Sequence, residues 1–291
     1  MAKASSPGFR LDHWLQNLVL RALIGALLVL PYRWRVPLCG WVFARLIAPL
    51  AGYSRRIRDN LALIFPDMPE AEIRHMLRAV PNNVGRTVIE MYSGDEFIAR
   101  AKAAPLHGPG LAALEEARAA GRPVVLVTGH FGNYDASRAA LIARGFPVGG
   151  LYRPMTNAYF NAHYVAAIRH IGEPLFARGR QGMAAMIRFL RQGGMLGIVQ
   201  DQHMKYAPVL RFFGQPAKTA LSAAELALKY DALLVPSYAI RQPDGLSFDI
   251  LVDAPIPHST AEVMTQALND HLETHVRQNL DQWFWIHKRW K

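Results

Sequence analysis

The sequence contains one cysteine, Cys39, among 291 residues. A single thiol excludes a disulfide framework within the chain, and it excludes a metal cage built from several cysteines. The absence of disulfides fits a reducing environment that faces the cytoplasm. The length is sufficient to bury the core of one large catalytic domain with an appended segment.

Several motifs of enzyme chemistry are also missing. No Walker A sequence occurs, and no G-x-G-x-x-G motif follows a predicted strand. No G-x-S-x-G elbow surrounds Ser137 or Ser222, and Cys39 lies in the apolar amino-terminal region, so a covalent acyl-enzyme lacks its nucleophile. No H-E-x-x-H pair occurs, and we therefore expect neither a metal nor a cofactor. The alternative is a metal held by four residues: His130, Asp135, Asp201 and His203.

Acidic residues are in the minority. Lys and Arg number 33 against 22 Asp and Glu, which gives a formal net charge of +11. This balance predicts an anionic partner, which is nucleic acid, an anionic membrane or a phosphorylated substrate. No helix-turn-helix, RNP or zinc-finger pattern accompanies the charge, so we expect no nucleic acid.

Long uninterrupted apolar runs are absent. The best candidate, residues 14–30, is interrupted by Gln16, Asn17 and Arg21, and the aromatic and cationic sequence PYRWR follows it. Such a flank is typical of a membrane boundary, and no A-x-A-like cleavage site precedes it. A spanning helix and a helix lying in the interface both remain open, beside a buried helix of a soluble core. We expect residues 1–35 to be a membrane-attachment segment, with the catalytic part on the cytoplasmic side.

Residues 36–291 are predicted to form the catalytic domain. Residues 36–105 are amphipathic and helical, with prolines as punctuation, and they indicate no chemistry. From residue 121, short apolar runs of strand type alternate with helical sequence, and capping-box patterns begin at Ser222 and Ser259. This alternation predicts an α/β fold with a mixed, largely parallel sheet flanked by helices. The strands are expected at 123–128, 146–152, 195–199, 233–240 and 248–252.

Polar residues follow three successive predicted strands. His130 follows the first strand, Arg153 the second and Asp201 the third. Ligands of open α/β sheets bind beyond the carboxyl ends of the strands, so these residues are expected to meet at one pocket. A lone histidine in such a loop is more often structural than catalytic.

The segment GHFGNYD strengthens the catalytic interpretation of His130. Gly129 and Gly132 permit a sharp turn and a close substrate approach. If Asn133 caps the next helix, Asp135 lies in its first turn and is predicted to fold back onto the imidazole. That carboxylate would fix the tautomer and leave Nε2 as a proton acceptor, so His130 is the predicted general base and Asp135 the residue that orients it.

The residues around His130 resemble the late acyltransferases of lipid A biosynthesis, the lauroyl and myristoyl transferases. These belong to the glycerolipid-type acyltransferases with the pattern His, four residues, Asp or Glu, found here from His130 to Asp135. YRPMTNAYFN, the Asp201-Gln202 pair and the ending WFWIHKRWK are similar to further blocks of that family. Asp135 stands where many members have Glu, and Ala158 replaces a usual proline.

The resemblance implies a glycerolipid acyltransferase-like fold and a location at the bacterial inner membrane. It also implies an acyl thioester donor, usually acyl carrier protein, and a hydroxyl acceptor on a phosphorylated glycolipid. Six residues are then candidates for substrate binding: Arg153, Asn157, Arg169, Arg180, Asp201 and Gln202. The arginines suit phosphate, Asn157 shapes the loop of Arg153, and Asp201 is expected to support one of the arginines.

Three alternatives remain at this stage. A protein of the same fold acts on lysophosphatidate, or on phosphatidylinositol mannoside, whose acyltransferases share the plan. The third is a basic membrane-binding protein without catalysis, which leaves the arrangement of His130 and Asp135 unexplained.

Overall fold

A computed structural model of the protein describes residues 10–291, and residues 1–9 of the predicted attachment segment lie outside them. The amino-terminal part is helical as far as residue 103. Its elements are α1 (Leu11–Leu28), α2 (Tyr32–Val42), a π-helical turn (Phe43–Ile47), α3 (Ala48–Leu50), α4 (Tyr53–Ile64), α5 (Glu70–Met91) and α6 (Gly94–Ala103).

Two of the prolines expected to punctuate this region lie inside helices instead. Pro37 belongs to α2 and Pro81 to the 22-residue α5. Pro81 is buried, and packing of α5 against its neighbours outweighs the hydrogen bond that the proline removes. Proline spacing therefore gave wrong helix boundaries at these two positions.

The α/β core follows in chain order. Its strands are β1 (Leu106–His107), β2 (Val124–Thr128), β3 (Val148–Tyr152), β4 (Leu175–Ala177), β5 (Met195–Val199), β6 (Val209–Phe212), β7 (Gln215–Lys218), β8 (Leu233–Arg241) and β9 (Phe248–Val252). Its helices are α7 (Leu111–Ala120), α8 (Tyr134–Ile142), α9 (Ala158–Ile171), α10 (Arg180–Arg191), α11 (Ser222–Lys229) and α12 (Ala261–Gln278), and a 3₁₀ turn follows (Leu280–Gln282).

Seven strands form one sheet in the order β1-β9-β8-β2-β5-β3-β4. The pairs are parallel except β8 with β9, which is antiparallel. The predicted mixed, largely parallel sheet flanked by helices is therefore confirmed. Strands β6 and β7 form a separate antiparallel hairpin.

The five predicted strands are confirmed to within two residues, whereas β1, β4 and the hairpin were not predicted. The missed strands have two to four residues each, too few for a period-2 pattern to emerge. The two predicted caps were displaced: Thr260, not Ser259, caps α12, and Ser222 is already inside α11.

Alternate side chains of β2 point to opposite faces of the sheet, and each face is covered by a layer of helices. Val125 and Val127 pack on the side of α10, α11 and α12, while Val124 and Leu126 pack on the side of α7 and α8. All four are buried, as expected for a strand covered on both faces. Each such side chain contributes about 1.5–3 kcal/mol on leaving water, so β2 is a rigid base for the loop that follows it.

Helix α1 packs against α9 along one narrow side and exposes apolar residues elsewhere. Asn17 is its only buried residue. Large exposed side chains of α1 and the following helices include Leu11, Trp14, Leu15, Leu18, Val19, Leu20, Leu23, Trp34, Leu38 and Trp41.

The expected apolar membrane helix is not shown as a span. Within residues 10–291, no single helix combines the length and apolar character needed to cross a membrane. The helices over Tyr32–Leu50 and Tyr53–Ile64 meet that test only as a pair, and they are bent by 87°. In α1, Asp12, Gln16 and Arg21 interrupt the apolar sequence.

Candidate active site

His130 and Asp201 lie side by side because their strands are neighbours in register. Thr128 is the partner of Val199 across the parallel pair β2–β5. His130 follows Thr128 by two residues, and Asp201 follows Val199 by two residues. The predicted convergence at the carboxyl ends of the strands is confirmed for this pair.

Asp201 is the carboxylate partner of the His130 ring. Its Oδ1 lies 2.6 Å from Nδ1 of His130, and its Oδ2 accepts the backbone N–H of His130 at 2.7 Å. The indole N–H of Trp283 donates to Oδ2 at 2.9 Å. A carboxylate with three donors around it is held in one orientation, and it in turn fixes the ring.

Electrostatics keep Asp201 ionised although it is buried. Burial opposes the charged form, but the charge and hydrogen bonds of His130, together with the nearby His287, outweigh it and hold the pKa of Asp201 well below its usual range. An ionised carboxylate only accepts hydrogen bonds, so Nδ1 of His130 carries the proton. The other ring nitrogen, Nε2, is then free to accept a proton.

His130 lines a cleft of about 310 Å³. Apolar atoms make up most of its lining surface, and Val84, Val88, Met91, Tyr134 and Phe284 contribute to it. Polar side chains also line the cleft: Asn83, Thr87, His130, Gln202, Gln282 and His287. A cleft whose surface is mostly apolar and into which the His130 imidazole projects is suited to a hydrocarbon chain that carries a reactive end.

The predicted contact between Asp135 and His130 is corrected by the structure. Asp135 does lie in the first turn of α8, and Asn133 does cap that helix by accepting its backbone N–H at 3.1 Å. The Asp135 carboxylate, however, accepts from Nε of Arg138 at 3.0 Å. Arg138 is a buried cation one turn along the same helix face, and it draws the carboxylate away from the imidazole.

Arg138 extends this interaction to the next helix. Its two terminal nitrogens donate to the backbone oxygens of Ile168 and Gly172, each at 3.0 Å. Asp135 and Arg138 therefore fasten α8 to the carboxyl end of α9. Asp135 also lines a second, narrower cavity of about 90 Å³ behind the loop, away from the cleft of His130.

The turn at Gly132 explains why glycine is needed in this loop. Gly132 has φ +55°, and a Cβ there would lie 1.8 Å from the backbone oxygen of Ala239. Its own carbonyl accepts from Asn83 and Thr87 of α5, each at 3.1 Å. The loop is thus held between β8 and α5.

A buried ion pair between α5 and β8 completes this support, and no sequence motif indicated it. Glu90 is fully buried, pairs with Arg241, and accepts from Nδ2 of Asn133 at 2.8 Å. Residues 36–105 were expected to carry no chemistry, yet α5 positions the loop that contains His130. Only tertiary packing brings these polar residues of an amphipathic helix next to residue 133.

The carboxyl-terminal block also belongs to the site. Phe131 and Trp283 form a β-bridge, and the N–H of Phe284 donates to the carbonyl of His130 at 2.9 Å. Trp283, Trp285 and Arg289 are buried. These three residues are therefore part of the core of the protein.

His287 lies beside His130. The two rings are 4.7 Å apart between centroids and nearly perpendicular, at 80°. Burial lowers the pKa of His287 to about 4, against the favourable charge of Asp201, so the ring is neutral near pH 7. Its Nε2 is buried and has no hydrogen-bond partner among residues 10–291.

These three side chains also satisfy the spacing of a metal site. One ligand atom each of His130, Asp201 and His287 lies within 4.8 Å of the others, and two histidines with a carboxylate are a usual set for zinc or iron. Asp135 and His203, expected in the alternative metal set, are not part of this group, since Asp135 is bound to Arg138.

Two of the predicted arginines, Arg153 and Arg180, lie at the far side of the same sheet edge. Arg153 directly follows β3 and is exposed, and Arg180 begins α10 and is exposed. Neither makes an ion pair within the part of the chain that the structure describes. Arg169 differs, because its guanidinium pairs with Glu173 at 2.8 Å on the surface of α9.

One further cation joins this group. Tyr152 is paired with Ala177 across β3 and β4, so Arg178 lies in register with Arg153, and its backbone N–H donates to Tyr152. Sequence reasoning missed Arg178 because it did not predict the three-residue β4.

The remaining predicted residues lie at a helix start and in the cleft. Asn157 caps α9 by accepting from Phe160 at 3.1 Å, and its amide donates to the carbonyl of His13 in α1 at 2.8 Å. Gln202 is exposed and lines the cleft of His130. Among the described residues, Asp201 makes no ion pair with Arg153, Arg169 or Arg180, and it binds His130 and Trp283 instead.

Comparison with known proteins gives one family match and several similar relatives. Residues 4–291 match the family model for bacterial lipid A biosynthesis acyltransferases. A lipid A biosynthesis acyltransferase of Haemophilus influenzae is 25% identical over 266 residues, covering 87% of this chain and 81% of that protein. The lipid A biosynthesis lauroyltransferase of Escherichia coli K12 is 26% identical over 250 residues, or 82% and 79%. A phosphatidylinositol mannoside acyltransferase of Mycobacterium tuberculosis is 22% identical over 245 residues, or 82% and 78%.

Proposed function

Because the chain belongs to the family of bacterial lipid A biosynthesis acyltransferases and is an acyltransferase, we propose that it transfers a fatty acyl chain to a lipid A precursor. The donor in this proposal is an acyl thioester of acyl carrier protein. The acceptor is a hydroxyl group on a phosphorylated glycolipid. The resemblance of the sequence blocks and the two lipid A relatives support this choice of acceptor.

In the proposed reaction His130 is the general base. Nε2 takes the proton of the acceptor hydroxyl as its oxygen attacks the thioester carbonyl, and a tetrahedral intermediate forms. When that intermediate collapses, the C–S bond breaks and the imidazolium returns its proton to the departing thiolate. The acyl group passes directly between the substrates, with no acylated side chain and no cofactor.

Asp201 is the residue that orients the base, in place of Asp135. The observation that carries the proposal is the 2.6 Å contact between Asp201 and Nδ1 of His130 at an apolar cleft. An ionised carboxylate at Nδ1 keeps the proton there and stabilises the imidazolium that forms during attack. Such general-base assistance is worth about 10² to 10⁴ in rate.

The exposed cations at the end of β3 and β4 are the proposed phosphate site. Arg153, Arg178 and Arg180 lie beyond the same sheet edge as His130, two strands or more away. A guanidinium matches the geometry of a phosphate oxygen pair, and these three have no acidic partner among the described residues. A phosphorylated headgroup bound there can present its hydroxyl towards the cleft.

We also propose that the protein works at the cytoplasmic face of the bacterial inner membrane. The exposed apolar face of α1 and α2 supports this, since so many large apolar side chains are rarely left in water. Arg10, Arg21, Arg33 and Arg45 accompany this face and suit anionic headgroups. The helix lies in the interface in this proposal.

The function is tested with purified protein and defined substrates. Acyl carrier protein charged with lauroyl or myristoyl chains is mixed with a bis-phosphorylated disaccharide lipid, and acylated product is measured by mass spectrometry. We expect product with wild-type protein and none with His130→Ala of unchanged circular dichroism. Equal rates for the two proteins would exclude the mechanism. Product only with a mannosylated inositol lipid would reassign the acceptor to the class named in the mycobacterial relative.

Membrane attachment is tested separately by co-sedimentation with vesicles. The double variant Leu15→Asp, Val19→Asp places charge on the exposed side of α1, where neither side chain is buried. We expect it to remain in the supernatant with vesicles of anionic phospholipid, whereas the wild type sediments. The control is Val263→Asp, which changes one exposed residue of α12. We expect this variant to sediment with the vesicles as the wild type does. Sedimentation of the α1 variant would place the membrane contact elsewhere.

A further inference from the structure

The proposed mechanism assigns no role to one buried ring nitrogen of the cleft. Nε2 of His287 is buried and has no hydrogen-bond partner among the described residues. Buried polar atoms without partners are rare in folded proteins, and at a reactive site they often await a substrate. This nitrogen belongs to a side chain that lines the same cleft as His130.

The position of His287 is fixed by the backbone around it. Its N–H donates to the carbonyl of Phe284, whose own N–H donates to the carbonyl of His130. Asn60 of α4 donates to the carbonyl of His287 at 2.8 Å. The ring itself packs against the rings of His130 and Phe284, at centroid distances of 4.7 and 4.5 Å.

Acyl transfer is assisted by a hydrogen-bond donor next to the carbonyl oxygen of the thioester. As the hydroxyl oxygen attacks, the carbonyl π electrons move to the carbonyl oxygen, which gains negative charge. His130 cannot stabilise that charge, because its Nδ1–H is directed to Asp201 and its Nε2 accepts the hydroxyl proton. A neutral imidazole next to His130 has one N–H to offer, and one ring nitrogen of each histidine lies within 4.8 Å of the other.

We propose that His287 is a second catalytic residue, whose Nε2–H donates a hydrogen bond to the thioester carbonyl oxygen while the tetrahedral intermediate forms. This proposal rests on the acyl transfer proposed above. No covalent bond to His287 forms, and its proton stays on the ring throughout. The acceptor class is not involved, so the same role is expected with any hydroxyl acceptor that this enzyme uses.

The test compares variants of His287 with a matched histidine elsewhere. His287→Leu removes the donor, and His287→Gln retains an N–H donor of similar reach. His258→Leu is the control, because His258 is partly buried and binds the carbonyl of Ala232, which precedes β8 at the opposite edge of the sheet. Initial rates are measured with lauroyl acyl carrier protein and the bis-phosphorylated disaccharide lipid, after thermal melts confirm folding.

For His287→Leu we expect kcat to fall about 10²- to 10³-fold, as for loss of other oxyanion donors, with KM for both substrates changed little. His287→Gln is expected to recover part of that loss, and His258→Leu to match the wild type. The pH dependence of kcat/KM should keep its shape in His287→Leu, because the base is unchanged and only the height of the profile falls.

Four outcomes overturn the proposal. A near wild-type kcat in folded His287→Leu would exclude the donor role of His287. If His130→Ala is inactive in the same assay, the proposed general-base role of His130 is retained without a contribution from His287. A loss confined to KM makes His287 a binding residue. A shifted acid limb of the pH profile makes it a positioning residue that acts through His130. Stoichiometric zinc or iron in active protein, lost together with activity in His287→Gln, assigns the three residues to a metal site.

Discussion

Trp283 donates its indole N–H to Asp201 across 82 residues of sequence, at 2.9 Å. The acceptor is the same oxygen, Oδ2, that receives the backbone N–H of His130. The tryptophan therefore fixes one side of the carboxylate while the imidazole takes the other. The carboxyl-terminal block thus contributes directly to the geometry of the base.

Trp283→Phe is expected to lower kcat about 10-fold and to cost about 1–3 kcal/mol of unfolding free energy, because a buried carboxylate oxygen loses a donor. Steady-state rates and urea denaturation provide the two measurements. The matched control is Trp285→Phe, since Trp285 is equally buried but donates to the carbonyl of Leu280. The control should lose stability without a comparable loss of kcat. Equal kinetic losses in both variants would contradict the specific role of Trp283.

Asp201 and Asp135 should differ in what they contribute, and changing each to Asn should reveal the difference. Asp201→Asn is expected to reduce kcat by about 10² to 10⁴ in folded protein, because the imidazolium loses its charge partner. Asp135→Asn should act mainly on stability, by about 3–5 kcal/mol, because the buried Arg138 loses its carboxylate. Rates normalised to the folded fraction from circular dichroism distinguish the two. A folded, inactive Asp135→Asn beside an active Asp201→Asn would reverse the assignment.

Arg153→Ala should raise KM for the phosphorylated acceptor and leave KM for the acyl donor unchanged. The rise should correspond to a loss of about 1.5–3 kcal/mol of binding free energy. Lysine at residue 153 should restore part of the loss, because an ammonium lacks the planar fork of a guanidinium. Arg191→Ala is a suitable control, since Arg191 is exposed at the end of α10 that leads to the opposite edge of the sheet.

A dephosphorylated acceptor identifies the partner of Arg153. If the arginine binds phosphate, removing both groups should cost no more than removing one. Fully additive losses would show that Arg153 acts on the thioester or on the shape of its own loop.

His287 gives the protein a defined pH dependence of stability. Its pKa in the folded protein is about 4, against 6.5 for an ordinary histidine, so between these values the unfolded chain binds the extra proton. The free energy of unfolding should therefore fall as pH decreases from about 6.5 to 4, by about 3 kcal/mol at most from this group. Urea denaturation at several pH values should show a shallower decline for His287→Gln than for the wild type. Parallel curves would contradict the assignment.

The sheet and the position of His130 at its edge could be predicted from the sequence for clear reasons. β2 and β5 are apolar runs bounded by polar residues or turns, and a short strand of that type is recognisable without its neighbours. The glycines around His130 and the cap at Asn133 are local features, so the turn into α8 was predictable as well. The convergence of His130 and Asp201 followed from parallel pairing.

The partner of His130 could not be derived in this way, because it depends on strand order. β5 is inserted between β2 and β3 in the sheet, which makes Asp201 the direct neighbour of His130 although 71 residues separate them. Asp135 was favoured for its closeness in sequence, but Arg138 competes for it one helical turn away. The contributions of Glu90 and Trp283 are long-range contacts of the same kind, and a local pattern does not encode them.

The bridge between Phe131 and Trp283 has a consequence for how activity arises during synthesis. A ribosome produces His130 and Asp201 well before it reaches the tryptophan and Phe284, whose N–H binds the carbonyl of His130. A nascent or prematurely terminated chain therefore carries the base and its carboxylate without the wall that closes around them. The site of this protein is therefore completed only when the last residues of the chain have been made and have paired with the loop of His130.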